Sequence, residues 1–272
     1  MQKTIACIGS GNMGTALMKA AAKVVGGANI GFSDVERGKA EMAAKQLGAK
    51  VYASNSEAVA DADFVFLAVK PQVMASVLAE LALLVEQRLM ARLPVTLVSM
   101  AAGWSIGKLR AALFDTAGQP IVRIMPNTPA LIGQGVIALA TENVVEEMLV
   151  ELETILAGAG MVDRLSEGYL DAVTALSGSG PAFVCMFIEA LADGAVRAGL
   201  PRDRALCYAG KMVAGSATMM LETGKHPGEL KDMVSSPAGT TIAGIAALEN
   251  GAFRGVVMNA VEATFRRAKE LG

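Results

Sequence analysis

Aromatic side chains are scarce in this chain: its 272 residues include 8 Phe, 3 Tyr and a single Trp, 4% in all, although 53% of residues are hydrophobic. Charge is scarce as well, at 18%, and neither sign dominates, with 24 Lys and Arg against 26 Asp and Glu and a net charge of −2. Without a basic excess or a basic run there is no electrostatic footprint for a phosphodiester backbone, which excludes nucleic acid as a partner. The apolar content excludes disorder. Cysteine is limited to Cys7, Cys185 and Cys207, odd in number, far apart and without CxxC spacing. That pattern argues against a disulfide framework and a zinc site, gives no metal site to assign, and suits a reducing cytoplasm.

Uninterrupted apolar runs are missing too, despite a mean hydropathy of +0.45. The uncharged stretch 124–141 contains Pro126, Asn127, Pro129, Gly133 and Gly135, and the stretch 172–188 is split by Ser177-Gly178-Ser179-Gly180-Pro181. Neither reads as a membrane span. The first residues lead directly into a strand pattern, so the expectation is a chain without a signal peptide. The apolar surplus then has to be buried in one core or between subunits, and an oligomer is expected.

What the sequence does contain is alternation. Short apolar segments of strand length lie at 4–9, 28–33, 63–69, 94–100 and 121–125, with helical patterns at 13–24, 35–47, 72–86 and 106–113 between them. An extended piece at 135–140 and a charged helix at 144–156 follow. Alternation with nearly continuous apolar strands predicts an α/β fold, a doubly wound parallel sheet covered on both faces. Beyond Val162 no segment reads as a strand, and helices are expected over 167–175, 181–198, 201–223, 240–249 and 251–271. Pro181 and Pro201 suit first-turn positions. The change of period puts a domain boundary at 163/164.

Gly9-Ser10-Gly11-Asn12-Met13-Gly14 fits G-x-G-x-x-G, and it falls between the first strand and the first helix, where a dinucleotide-binding turn has to be. The first glycine allows the tight turn, the second lets backbone approach a pyrophosphate, and the third lets helix and strand pack closely. Residues 1–163 therefore read as a Rossmann-type dinucleotide-binding domain. Asp34 follows at the end of the second strand, where an acidic side chain accepts from a ribose 2′-hydroxyl and favours NAD. Ser33, Arg37 and Lys39 adjoin it, and a cation there could meet a 2′-phosphate, so NADH and NADPH both stay open. A plain helix cap at Asp34 is compatible with either. Three more loops follow strand carboxyl ends: Ala68-Val69-Lys70-Pro71, Ser99-Met100-Ala101-Ala102-Gly103, and Arg123-Ile124-Met125-Pro126-Asn127-Thr128-Pro129. Small residues and prolines there would let backbone line a flat nicotinamide ring, and ordinary turn chemistry would read the same way.

A second constellation lies at 230–249, Leu-Lys-Asp-Met-Val-Ser-Ser-Pro-Ala-Gly-Thr-Thr-Ile-Ala-Gly-Ile-Ala-Ala-Leu-Glu. Ser236, Gly239, Thr240 and Thr241 sit where a helix begins, so hydroxyls and free backbone N–H groups converge as they would around a small carboxylate. A plain N-cap would need one hydroxyl. This segment resembles the signature of the pyrroline-5-carboxylate reductases, as do Ala172-Val173-Thr174-Ala175-Leu176-Ser177-Gly178-Ser179-Gly180-Pro181-Ala182, the Arg123 to Pro129 loop, and Phe66-Leu67-Ala68-Val69-Lys70-Pro71.

The resemblance implies reduction of the cyclic imine 1-pyrroline-5-carboxylate to L-proline with NADPH or NADH, the last step of proline biosynthesis. It implies an N-terminal Rossmann domain and, over 164–272, a helical substrate-binding and dimerisation domain that interleaves with a partner's into a homodimer, often assembled further into decamers. Carried over, Gly9 to Gly14 would wrap the pyrophosphate, and Ser33, Asp34 and Asn55 would lie near the adenosine ribose. Ala68, Val69, Lys70 and Pro71, with Ala101, Ala102 and Gly103, would line the nicotinamide. Ser236, Gly239, Thr240 and Thr241 would hold the substrate carboxylate, the Thr241 hydroxyl directed at the ring nitrogen as the catalytic group. Glu167 matches an acidic position at the proline site. Where some members have Asn, this chain has Met233.

Positioning should dominate such chemistry, because hydride comes from the cofactor and a protonated C=N bond is already reactive. Thr241 would orient or relay a proton from water, or accept from an iminium. His226, the sole histidine, sits in a turn and reads as structural. The rivals are another imine reductase or a β-hydroxyacid dehydrogenase of the same plan, and a nonenzymatic NAD(P) sensor. A hydroxyacid enzyme would place a lysine on the helix that begins at Pro181, and this chain has none in 181–190.

Overall fold

A computed structural model describes residues 3–114, 116 and 118–271. Eight strands among them form one sheet: β1 (Ile5–Ile8), β2 (Ile30–Ser33), β3 (Lys50–Val51), β4 (Phe64–Leu67), β5 (Thr96–Ser99), β6 (Ile121–Met125), β7 (Gly135–Glu142) and β8 (Gly160–Arg164). The order is β3-β2-β1-β4-β5-β6-β7-β8. Helices α1 (Asn12–Val25), α2 (Arg37–Leu47), α3 (Asn55–Asp61), α4 (Met74–Met90), α5 (Ile106–Ala112) and α6 (Glu146–Ala157) cover it.

Strand alternation explains the two layers. Ile5, Cys7, Phe32, Phe64 and Phe66 point to one face and pack with Leu17 and Ala21 of α1, Ala40 and Ala44 of α2, and Leu152 of α6. Ala6, Ile8, Val65, Leu67 and Leu97 point to the other, against Val59 of α3, Leu78, Leu81 and Val85 of α4, and Leu109 of α5. Burial on both faces is why these strands read as continuous apolar runs. The sheet departs from the wholly parallel expectation at one pair, because β6 and β7 run antiparallel, with Ile121 opposite Glu142 and Met125 opposite Ala138. The connection between them holds only a 3₁₀ turn at Thr128–Ile132. That is too short for a crossover helix, so the chain returns beside the strand it left.

The chain divides into two compact units, residues 1–179 with 264–272, and residues 180–263. The division by packing comes later than the change of sequence period at 163/164, because Leu165, Leu170 and Val173 still pack into the sheet's second layer. The short helix α7 (Leu170–Val173) and a π turn at Thr174–Gly178 belong to this part of the chain. The π turn keeps the backbone helical through the Ser-Gly-Ser-Gly segment that was expected to interrupt it. As a result 167–197 is long and apolar enough, by length and composition, to cross a bilayer, with 11% of its most apolar window buried. A helix covered by another subunit has the same length and composition.

The second unit is built from α8 (Gly180–Arg197), α9 (Arg202–Thr223), α10 (Pro227–Met233), α11 (Thr240–Asn250) and the first part of α12 (Phe253–Leu271). Its buried centre is small: Ala192, Ala205 and Ala209, flanked by Ile188, Leu191, Val196 and Leu200. Phe187 and Phe253 stack with ring centroids 5.8 Å apart. Neither α11 nor α12 contains a buried residue. Met186, Leu221, Val256 and Met258 are all more than half exposed. The two helices not expected from the sequence, α3 and α10, are short and begin at side-chain caps. Ser54 Oγ accepts from the Glu57 amide at 3.1 Å, and His226 Nδ1 accepts from the Gly228 amide at 3.1 Å, which gives His226 a structural contact.

Candidate active site

The order of strands reverses at β1, with β2 on one side and β4 on the other, and the loops after β1 and β4 therefore flank a crevice at their carboxyl ends. Gly9 turns there with φ +100°, and a Cβ on it would stand 2.6 Å from the Ala68 carbonyl oxygen. A Cβ on Gly14 would stand 2.8 Å from Ala68 Cβ and 3.0 Å from Cys7 Sγ. Both positions exclude a larger residue, whereas Gly11 has open space where its Cβ would be. Beneath the turn the Cys7 thiol donates to the Gly9 carbonyl at 3.2 Å. Burial, and then the nearby Asp34 carboxylate, push its pKa up to about 12, so it stays neutral and does no chemistry.

Gly11 is the N-cap of α1 without a side-chain hydrogen bond. The amides of Gly11, Asn12 and Met13 carry no partner among the described residues, and Ser10 Oγ is buried and unpartnered. Free amides at a helix start beside an orphan hydroxyl and an open glycine are what a pyrophosphate needs, so these residues fit a dinucleotide.

At the far end of β2, Asp34 is held on both sides. Its Oδ2 accepts from the Ser10 amide at 2.7 Å and its Oδ1 from the Glu36 amide at 2.9 Å. The buried Ser33 hydroxyl donates to Asn55 Oδ1 at 2.7 Å, and Asn55 Nδ2 donates to Glu80 Oε2 at 2.9 Å. Ser33, Asp34 and Asn55 are thus brought to one edge of the sheet. Ala68, Val69, Lys70 and Pro71 follow β4, and Ala101, Ala102 and Gly103 follow β5. The two loops are tied together by Trp104, whose Nε1 donates to the Pro71 carbonyl at 3.0 Å.

Sequence reasoning did not single out the side chain of Arg123, although a lone arginine inside an apolar strand was the available signal. It lies at the end of β6, 8% exposed, with Nη1 3.1 Å from Glu167 Oε1 and Nη2 3.3 Å from Asp171 Oδ1. The same Glu167 oxygen accepts from the Ile106 amide at 2.7 Å, at the start of α5. Glu167 therefore fixes a helix start and a buried guanidinium through Oε1, while its Oε2 makes no hydrogen bond among the described residues. Asn127 is likewise buried and used locally, donating to the Ser177 carbonyl at 3.0 Å and accepting from the Val136 amide at 2.9 Å.

In the second unit, Gly239 donates to the Ser236 carbonyl at 3.0 Å. Pro237 occupies the second position of this turn and Ala238 the third, at φ +56°, the arrangement of a type II turn with alanine where glycine is preferred. The turn delivers Gly239 as the N-cap of α11 with no side-chain cap hydrogen bond. The hydroxyls of Ser236, Thr240 and Thr241, and the amides of Thr240, Thr241 and Ile242, make no hydrogen bond among the described residues. Unspent donors at the start of an 11-residue helix are free to meet an anion. Among the described residues no cluster of His, Cys, Asp and Glu could hold a metal ion.

Comparison with known proteins covers both halves. A family model described as pyrroline-5-carboxylate reductase dimerisation matches residues 167–271, and one described as NADP oxidoreductase, coenzyme F420-dependent, matches residues 4–103. The chain is 43% identical over 271 residues to a pyrroline-5-carboxylate reductase of Methanosarcina acetivorans, covering 98% of this chain and 97% of that one. The solved pyrroline-5-carboxylate reductase of Coxiella burnetii superposes with a TM-score of 0.90 at 31% identity, over 100% of this chain and 99% of the other. The Plasmodium falciparum pyrroline carboxylate reductase, solved with NADP bound, gives 0.88 at 30% identity, over 100% of this chain and 99% of the other.

Proposed function

The chain belongs to the pyrroline-5-carboxylate reductase family, and from that premise we infer how its residues serve the reaction. The protein is an NAD(P)-dependent oxidoreductase that reduces the C=N bond of 1-pyrroline-5-carboxylate to give L-proline. The cofactor, when bound, supplies the hydride. The chain's own part is to bind and orient. The turn 9–14 holds the pyrophosphate on the free amides of α1, Ser33, Asp34 and Asn55 face the adenosine ribose, and 68–71 with 101–103 line the nicotinamide.

The substrate carboxylate is held by Ser236, Gly239, Thr240 and Thr241, and the Thr241 hydroxyl hydrogen-bonds the ring nitrogen. A threonine hydroxyl is too weak an acid to protonate an amine unaided, so it orients the nitrogen and passes on a proton from water. The observation that carries this assignment is the set of unspent hydroxyls and amides at the start of α11. Glu167, whose Oε1 holds Arg123, matches the acidic position that the family has at its proline site. Residues 164–272 act as the substrate-binding and dimerisation region, in an interleaved homodimer that assembles further, in the cytoplasm.

The test is a spectrophotometric assay of NAD(P)H oxidation with pyrroline-5-carboxylate. Turnover is expected, and Thr241→Ala should lower kcat/KM by about 10–100-fold, the scale of one lost transition-state hydrogen bond. Unchanged kinetics in a folded Thr241→Ala protein would remove Thr241 from the mechanism without touching the family assignment.

A further inference from the structure

The two nicotinamide cofactors differ by one group, a 2′-hydroxyl in NADH and a 2′-phosphate in NADPH, and the residues at the carboxyl end of β2 distinguish them. A hydroxyl can donate a hydrogen bond. A phosphate brings about two negative charges and needs donors and cations around it.

The side-chain donors of Ser33 and Asn55 at this edge already have protein acceptors. Ser33 gives its proton to Asn55 Oδ1 and so presents lone pairs, and Asn55 directs an amide proton to Glu80. Asp34 presents only acceptor lone pairs and cannot swing aside, because each of its oxygens is held by a backbone amide, from Ser10 and from Glu36. The two cations beside it each face a carboxylate. Arg37 pairs with Glu41, with Nε 2.9 Å from the carboxylate, and Lys39 pairs with Glu36. The collar therefore carries four carboxylates, Asp34, Glu36, Glu41 and Glu80, against two cations, Arg37 and Lys39, and is net negative.

We propose that this chain is built for NADH, with Asp34 as the specificity-determining residue: it accepts the 2′-hydroxyl of the adenosine ribose and repels a 2′-phosphate. The proposal rests on the assignment of 9–14 as the dinucleotide turn. Glu36 has a supporting part, holding Lys39 away from any phosphate.

The experiment is a fluorescence titration of the full-length protein with NADH and with NADPH, alongside kcat/KM for each with pyrroline-5-carboxylate. NADH should bind about tenfold or more tightly than NADPH, and the gap should narrow as salt rises, since the discrimination is between charges near the surface. Asp34→Ser should move the NADPH-to-NADH affinity ratio about tenfold toward NADPH. Asp34 also steadies the glycine turn, so the ratio, which a general loosening of the turn would not move, is the readout. Glu36→Gln, which leaves the Asp34 anchors in place and frees Lys39, should move the ratio the same way by about two- to fivefold. NADPH binding as tightly as NADH to the unaltered protein, or a ratio unmoved in folded Glu36→Gln and Asp34→Ser proteins, overturns the proposal. Failure of both cofactors to bind would instead overturn the assignment of the turn itself.

Discussion

The sheet unit and the helical unit solve the problem of burial in opposite ways. The first closes its own core: both faces of β1, β2, β4 and β5 are covered by helices of the same chain, and Phe32, Phe64 and Phe66 are completely inaccessible. The second closes almost nothing, with alanines at its centre and two helices, α11 and α12, that bury no residue. Many of its apolar residues, Met186, Leu221, Val256 and Met258 among them, face outward. The family model that matches this region describes dimerisation, which fits apolar helices left uncovered by their own chain. One polypeptide thus contains a module closed by its own contacts and a module that leaves most of its apolar helix surface open.

The sharpest way to separate the two modes is to damage each alone. Phe66→Ala should lower the free energy of unfolding by about 3–5 kcal/mol, as for a large aromatic removed from a closed core. Denaturant titration at two protein concentrations checks it, and the loss should be the same at both. Val256→Asp, on an exposed face of α12, should leave the sheet unit folded and weaken association by about a hundredfold or more, since a charge would be buried without a partner. Light scattering on dilution should then show a smaller species. An unchanged mass would mean that this face is not a subunit contact.

The smallest effect is on titration. Cys185 and Cys207 of the helical unit are exposed, whereas Cys7 is buried in the sheet. At pH 8 a thiol reagent should modify the first two, where association leaves them open, and reach Cys7 only on unfolding. Because the folded pKa of Cys7 is raised from 9.0 to about 12, its contribution to stability is whole below about pH 9 and fades as pH rises toward 12. Cys7→Ala should therefore release one proton fewer on unfolding in that window, as read from the pH dependence of the denaturation midpoint.

Much of this architecture was legible in the amino-acid order, because the parallel strands are apolar on both faces and the segments between them carry a helical apolar pattern. What escaped was short or exposed. Strand β3 has two residues and β8 ends in Asp163 and Arg164, so neither carries a two-residue period long enough to detect. The antiparallel return into β7 depends on a connection length, not on a periodicity. In the site, the glycine turn and the Ser236 to Thr241 segment could be found because their chemistry is contiguous. Arg123 could not be paired with Glu167 and Asp171 in advance, since more than forty residues separate them and only the folded sheet brings them together.

The tryptophan that ties the loop after β4 to the loop after β5 is the only one in the chain. Its near-ultraviolet emission overlaps the absorption band of a reduced nicotinamide. The protein therefore carries a native optical reporter placed on the loops assigned to the nicotinamide, so that quenching of its one tryptophan by energy transfer, excited where tyrosine does not absorb, would follow occupancy of those loops in real time with no label attached.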